Sequence, residues 1–282
     1  MKIPKIIHQI HTKGINFLSE EDRTARAVLL KNNPDWEYRW YEYNTMVDFV
    51  KNHYSSRYLN AFLKINPLYG AAQTDYFRYL LLYSLGGAYF DLKSFTTCSL
   101  SDIILEDDEL LVFEWQGGAA EYEEFGKHKQ IKRGKEYQQW NIISSPGNKY
   151  LANVVEKITE NLENYTYIKF GYGWSGVLNT TGPIPYTNAI DEVTDKHGLR
   201  CLGSSCQNGI IYRDNTLPRR LDRSHYSRQT KPIISSASLL EEIEAEILLI
   251  LFKIFNFIKR YLRKMIYRTY ALLFIDFLWQ QM

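Results

Sequence analysis

"DYFRYLLLYSLGGAYFDLKS", residues 75–94, decides how the rest of the chain is read. The stretch from Gly70 to Leu85 is apolar on nearly every side, which predicts a helix at the centre of the molecule. Gly86-Gly87 stops it, as a left-handed C-terminal cap requires. A short strand should follow, with side chains alternating between its faces. Ala88, Phe90 and Leu92 then point into the core, while Tyr89, Asp91 and Lys93 share the other face. In open α/β sheets ligands sit outside the carboxyl ends of the strands, so three polar groups there predict a site. On the helix, Asp75 and Arg78 lie i,i+3 on one face. Charges in an apolar helix are costly to bury unless paired or bound to something. On this local pattern alone, a structural Asp–Arg pair tying helix to strand is the simpler reading.

The flanking sequence extends the pattern. "KIIHQI" (5–10) reads as a buried first strand, and Ser19 with Asp22 opens a helix to about Asn32. "NPDWEYRWYEY" (33–43) is a turn and an aromatic strand, with Asn44 placed to cap the next helix. "ELLVFEW" (109–115) predicts a strand, and the charged segment Glu121–Lys135 a surface loop. "WNIISSPGNKYLANVVEKI" (140–158) reads strand, turn, helix, and "TTGPIPYTNAI" (180–190) a turn entering a helix. Strands alternating with helices predict an α/β domain with a mostly parallel sheet over residues 1–234.

Residues 235–282 differ in character. From Leu239 to Trp279 there is no Gly or Pro. Apolar residues recur in steps of three and four from Leu240 to Met265, which makes one helical face. Between Leu251 and Met282, six basic residues stand against Asp276 alone, a net of +5. A bilayer span needs about 20 apolar residues. Ile247–Ile258 is shorter and is broken by Lys253 and Asn256. The tail therefore reads as a basic amphipathic helix bound to a membrane surface or to a partner.

Composition sets wider bounds. The 282 residues can bury one large core or two small ones. A net charge of +2 gives no reason to expect a nucleic-acid partner. The 22 Tyr and 6 Trp suit a flat ligand such as a sugar, although core packing explains aromatics as well. Cys98, Cys201 and Cys206 are too few for a disulfide framework; Cys201 and Cys206 could pair or bind metal, but free thiols in a reducing compartment are the expectation. Pro4 and His8 interrupt what would be the apolar segment of a signal peptide, so a cytoplasmic, peripherally membrane-bound protein is expected.

"IPKIIHQI" (3–10), "NPDWEYRWYE" (33–42), "DYFRYLLLYSLGGAYFDL" (75–92) and the Thr181-Gly182 turn occur in the order found in the DXD-containing sugar-binding glycosyltransferases. Over residues 3–230 the chain resembles this family, which includes fungal initiating α-1,6-mannosyltransferases and bacterial capsule enzymes. The resemblance implies a GT-A fold and a UDP- or GDP-linked sugar donor. It also implies hexose transfer with retention to a glycan or lipid-linked acceptor, and a divalent metal, manganese or magnesium. Asp75 would accept hydrogen bonds from donor hydroxyls, and Arg78 would reach the sugar or diphosphate. Tyr89 would contact the donor, and Asp91 its ribose or the metal. Ile7, His8 and Gln9 would lie by the base, and His225 near the diphosphate. Thr181 and Gly182 begin a turn that approaches the donor, and Asn141 stands beside the donor or acceptor sugar. Tyr172 and Trp174, in "GYGWSG", suit acceptor stacking on a loop, or packing.

One position departs from the family pattern: Lys93 replaces the second aspartate, normally a direct metal ligand. A protonated lysine has no lone pair to offer and repels a cation. Either the metal is lost, with Asp91 the one candidate ligand left in the motif, or it is held elsewhere. An ammonium can instead stabilise the charge that develops on a leaving β-phosphate. The catalytic candidates are thus Arg78, Asp91 and Lys93. Two alternatives stand beside this: a lysine that points to solvent, and an inactive relative serving as a nucleotide-sugar- or glycan-binding subunit of a membrane complex.

Overall fold

A computed structural model of the chain describes residues 2–115, 126–212 and 228–235, together with scattered positions between 243 and 265. The chain divides into two compact units, Met1–Ser235 and Ser236–Met282.

In the first unit, β1 (Ile6–Ile10), α1 (Glu20–Asn32) and β2 (Glu37–Tyr41) form a crossover that leaves the two strands parallel, Ile7 opposite Tyr38. Ser19 begins α1 with a reciprocal cap: its hydroxyl accepts from the Asp22 N–H at 3.1 Å, and the Asp22 carboxylate accepts from the Ser19 N–H at 2.9 Å. Next come α2 (Tyr43–His53), α3 (Ser56–Lys64) and α4 (Gly70–Leu85). The cap of α2 is Glu42, two residues before the expected Asn44, because β2 ends at Tyr41 and leaves Glu42 extended. Its N–H donates to Thr45 Oγ1 at 2.8 Å.

The predicted central helix is α4, buried at nearly every position from Ala72 to Leu82. It turns directly into β3 (Gly87–Phe90). Gly86 has φ 65° and ψ −164°, so the cap is positive in φ but extended in ψ, unlike the left-handed helical conformation expected. Gly87 has φ 101°, and a Cβ there would lie 2.5 Å from the Ile6 carbonyl oxygen. The strand also stops sooner than its sequence suggests. Ser94 N–H donates to the Asp91 carbonyl at 3.0 Å, closing a turn that contains Leu92 and Lys93. Leu92 is therefore half-buried at the turn, outside the core assigned to it by strand alternation.

Beyond the turn run β4 (Phe95–Thr96), α5 (Leu100–Ile103), β5 (Leu110–Val112), β6 (Asn141–Ser144) and α6 (Lys149–Glu163). The unit continues through α7 (Tyr167–Phe170), α8 (Gly173–Thr180), α9 (Pro183–Glu192), β7 (Leu199–Cys201) and β8 (Ile210–Ile211). The main sheet is six-stranded in the order β2-β1-β3-β6-β5-β7. Only β6 opposes its neighbours; the other pairings in this sheet are parallel. β4 and β8 pair in a separate two-stranded sheet. The result is the α/β, mostly parallel architecture expected. Ala88 and Phe90 join one apolar cluster and Tyr89 the other, so β3 is buried on both faces.

The three cysteines are free thiols. The described positions between 243 and 265 are helical. No helix among the described residues is long and apolar enough to cross a membrane.

Candidate active site

Parallel strands end together, and here the ends of β1 and β3 open onto a cavity of about 810 Å³. Its wall includes Ile10 from β1, Asp91 and Lys93 after β3, Asp75 and Arg78 from α4, and Pro183 at the start of α9.

Arg78 is the hub. It is 3% exposed, and its guanidinium bonds the Asp75 carboxylate and approaches Asp91 Oδ1 at 3.5 Å. The rings of Tyr79 and Tyr89 lie 5.4 and 5.1 Å from its charge, close enough for cation–π attraction. Its Nε is buried with no hydrogen-bond partner among the described residues. Asp75 uses both oxygens within the protein, one for Arg78 and the other for the Thr181 hydroxyl at 3.0 Å. Burial pushes its pKa up to about 6, against the pull of Arg78 and Thr181.

Asp91 sits on a built support. Tyr89 donates its hydroxyl to Asp91 Oδ1 at 2.6 Å, and Gln9 donates to the Asp91 carbonyl at 3.3 Å, itself accepting from Tyr38 at 3.0 Å. Burial raises Asp91 above the ordinary carboxylate value, while Arg78 and Tyr89 pull it back. Its side chain nonetheless remains one-third open at the cavity, 34% exposed. Lys93 is 43% exposed, and its Nζ lies 3.6 Å from Glu21 Oε2 in the first turn of α1. Neither a buried ion pair nor a side chain in open solvent describes it.

These donors do not suit a divalent cation. No three His, Cys, Asp or Glu side chains gather as a metal-binding group among the described residues. Asp91 shares one oxygen with Tyr89 and Arg78, and its nearest charged neighbour along the motif is a lysine.

Other expected residues lie elsewhere. Ile7 and His8 are fully buried and do not line the cavity. His8 Nε2 donates to the Gly86 carbonyl at 2.9 Å, so its Nδ1 accepts from Tyr41 at 3.3 Å; burial depresses its pKa to about 4 and keeps it neutral. Near β1, the wall comes from the next residues instead: Ile10, His11, Thr12 and Lys13. Gly182 closely approaches Leu178 and Val177 at the end of α8, where a Cβ would stand 2.9 Å away. Asn141 is buried on β6, away from the lining. Tyr172 and Trp174 belong to the cap and first turn of α8, where a loop was expected. Tyr172 stacks on Tyr167 at 4.9 Å, and neither Tyr172 nor Trp174 lines the cavity. His225 lies outside the described residues.

Sequence reasoning missed one wall altogether. Trp115, Trp140 and Tyr212 line the cavity, with Tyr212 5.0 Å from Trp140 and edge-on to Trp115 at 6.2 Å. Trp140 Nε1 is buried without a partner among the described residues. Trp115 donates to Glu136 at 2.8 Å, and His128 holds the other carboxylate oxygen at 2.7 Å. These residues come from three separated segments, and no local spacing links them.

Residues 19–110 match the model of the glycosyltransferase sugar-binding region containing the DXD motif. The match covers about a third of the chain. The matched span includes Asp75, Arg78, Tyr89, Asp91 and Lys93, and ends before Asn141 and Thr181. An uncharacterised glycosyltransferase of Acanthamoeba polyphaga mimivirus is 30% identical over 102 residues, 36% of this chain; the chain spans 40% of that protein's length. Among solved structures, the PaToxG glycosyltransferase is similar at a TM-score of 0.44 and 19% identity, over 68% of this chain and 70% of that one. The UDP-bound glycosyltransferase domain of the YGT toxin is similar at 0.48 and 8%, over 71% and 79%.

Proposed function

We propose that this chain is a GT-A glycosyltransferase of the DXD family that moves a hexose from a nucleotide-diphosphate donor to a glycan or lipid-linked acceptor with retention. The observation that carries this is the buried Arg78 in the wall of the cavity beside Asp91, clamped by Asp75 and two tyrosine rings. A fixed guanidinium suits the oxygens of a sugar or diphosphate. Asp75 acts through Arg78, which makes it a positioning residue. Asp91, one-third open, accepts from a donor hydroxyl.

In transfer, the bond between the anomeric carbon and the β-phosphate oxygen breaks, and its electron pair goes to the leaving diphosphate. The acceptor oxygen bonds the anomeric carbon on the same face, and its proton passes to the diphosphate. Lys93 Nζ, moving from Glu21, supplies the positive charge the leaving group needs. A partly exposed ion pair of this kind is worth about 1 kcal/mol, so Glu21 does not hold Lys93 against a diphosphate. The Trp115–Trp140–Tyr212 wall offers the acceptor sugar an apolar surface for its C–H face.

The test is hydrolysis and transfer with UDP- and GDP-linked hexoses, run with manganese, with magnesium and with excess chelator. Turnover should survive chelation and fall by about a hundredfold in Lys93→Ala. Turnover that requires manganese and is indifferent to Lys93→Ala would exclude the lysine's role. Donor binding without turnover, with any acceptor offered, would favour a binding subunit.

A further inference from the structure

The second unit carries a face that the catalytic proposal leaves unused. Its described apolar side chains are largely exposed, from Ile243 at 45% to Phe257 at 70%. At 3.6 residues per turn, the apolar residues Ile243, Ile247, Ile250, Leu251, Ile254, Phe255 and Phe257, continued by Ile258, Tyr261, Leu262 and Met265, fall within an arc of about 160°. Leu248 widens the arc only slightly. Among the described residues, Lys253, Lys259, Arg260 and Arg263 fall together in what remains, with Glu246 at the border. An arc this broad exceeds the narrow a/d seam of a coiled coil. Over 243–265 the helical rise amounts to about 33 Å, ample for a helix lying in a surface plane.

We infer that this helix binds the surface of an anionic lipid membrane, with its apolar arc among the acyl chains and its basic arc among the head groups. Charge chooses this occupant. Four cations in one arc complement a negatively charged surface, whereas an uncharged one would give them no counterpart. Burying isoleucines and phenylalanines in the interface supplies the apolar part of the attraction. The inference stands on the helix alone and does not depend on the activity of the first unit.

The experiment is co-sedimentation of the full-length protein with vesicles of phosphatidylcholine alone and with one-third phosphatidylserine. Binding should favour the anionic vesicles at least tenfold and weaken as salt rises. Ile254→Glu with Ile258→Glu should abolish it. Lys259→Ser, Arg260→Ser and Arg263→Ser together should reduce anionic binding about a hundredfold, at roughly fivefold per charge. Circular dichroism and donor hydrolysis should be unchanged in both variants, which separates loss of binding from loss of folding. Equal binding to the two vesicle types would overturn the inference. So would binding to neither, with sedimentation equilibrium showing a dimer that Ile254→Glu with Ile258→Glu dissociates.

Discussion

His8 shows how two protonation equilibria oppose each other within one domain. In the unfolded chain its pKa is near 6.5; in the fold, burial lowers it to about 4. The unfolded state therefore binds the proton first, and His8 adds stability above pH 6.5 that is lost as pH falls toward 4, about 3 kcal/mol in all. Asp75 runs the other way. Its carboxyl, raised from 3.8 to about 6, takes a proton more readily when folded and so favours the folded state below pH 6. Urea titrations should show His8→Gln losing less stability than wild type between pH 6.5 and 4, and Asp75→Asn losing more. Donor binding has a simpler dependence, because protonated Asp75 no longer holds Arg78 as a carboxylate. Affinity should fall as pH drops through about 6, and calorimetry on Asp75→Asn should find a weaker, flat profile. Glu21→Gln should leave stability within about 1 kcal/mol of wild type, and donor affinity equal or up to about fivefold tighter. A marked loss of affinity would mean that Glu21 orients the lysine rather than merely holding it.

At the scale of elements, the corner between α4 and β3 sets the site. Gly86 and Gly87 both have positive φ, and the space at Gly87 is taken by the Ile6 carbonyl and His8 Nε2, 2.5 and 2.9 Å from where a Cβ would sit. Gly87→Ala combines backbone strain with displacement of β1, and should cost about 3 kcal/mol in chemical denaturation. Loss below 1 kcal/mol would mean that the corner relaxes freely. The double glycine was legible as a helix stop, but its second task, letting β1 lie against β3, needs the neighbouring strand. The same holds for α8. Gly173 and Gly176 weaken its helical signal, yet a Cβ on Gly176 would stand 2.9 Å from Ile233 Cδ1, so glycine serves close packing there.

For the whole molecule, a ligand that binds only the folded state raises its stability by mass action. Saturating the cavity with donor at about a hundred times its Kd should add about 2.7 kcal/mol, read as a rise of several degrees in Tm. Excess chelator alone should move Tm by less than about 1 °C, since no metal-binding group ties elements together among the described residues. A large fall on chelation would reveal an ion that holds the fold together through other side chains.

The sequence by itself determined most of the elements around the cavity and placed four of the residues that line it. Asp75 and Arg78 share a helix face, and alternation turns Tyr89 to the same side as Asp91 just past the end of β3, because helix and strand periods are local properties of the chain. It also determined the amphipathic pattern of the tail. Only the tertiary structure decided that β6 runs against its neighbours, since strand direction depends on how long connections return. Likewise, only the fold brings Thr181 to Asp75, gathers Trp115, Trp140 and Tyr212 into one wall, and sets Lys93 beside Glu21 on a turn. Those meetings join residues far apart in the chain, and their geometry is fixed by packing, which no local spacing records.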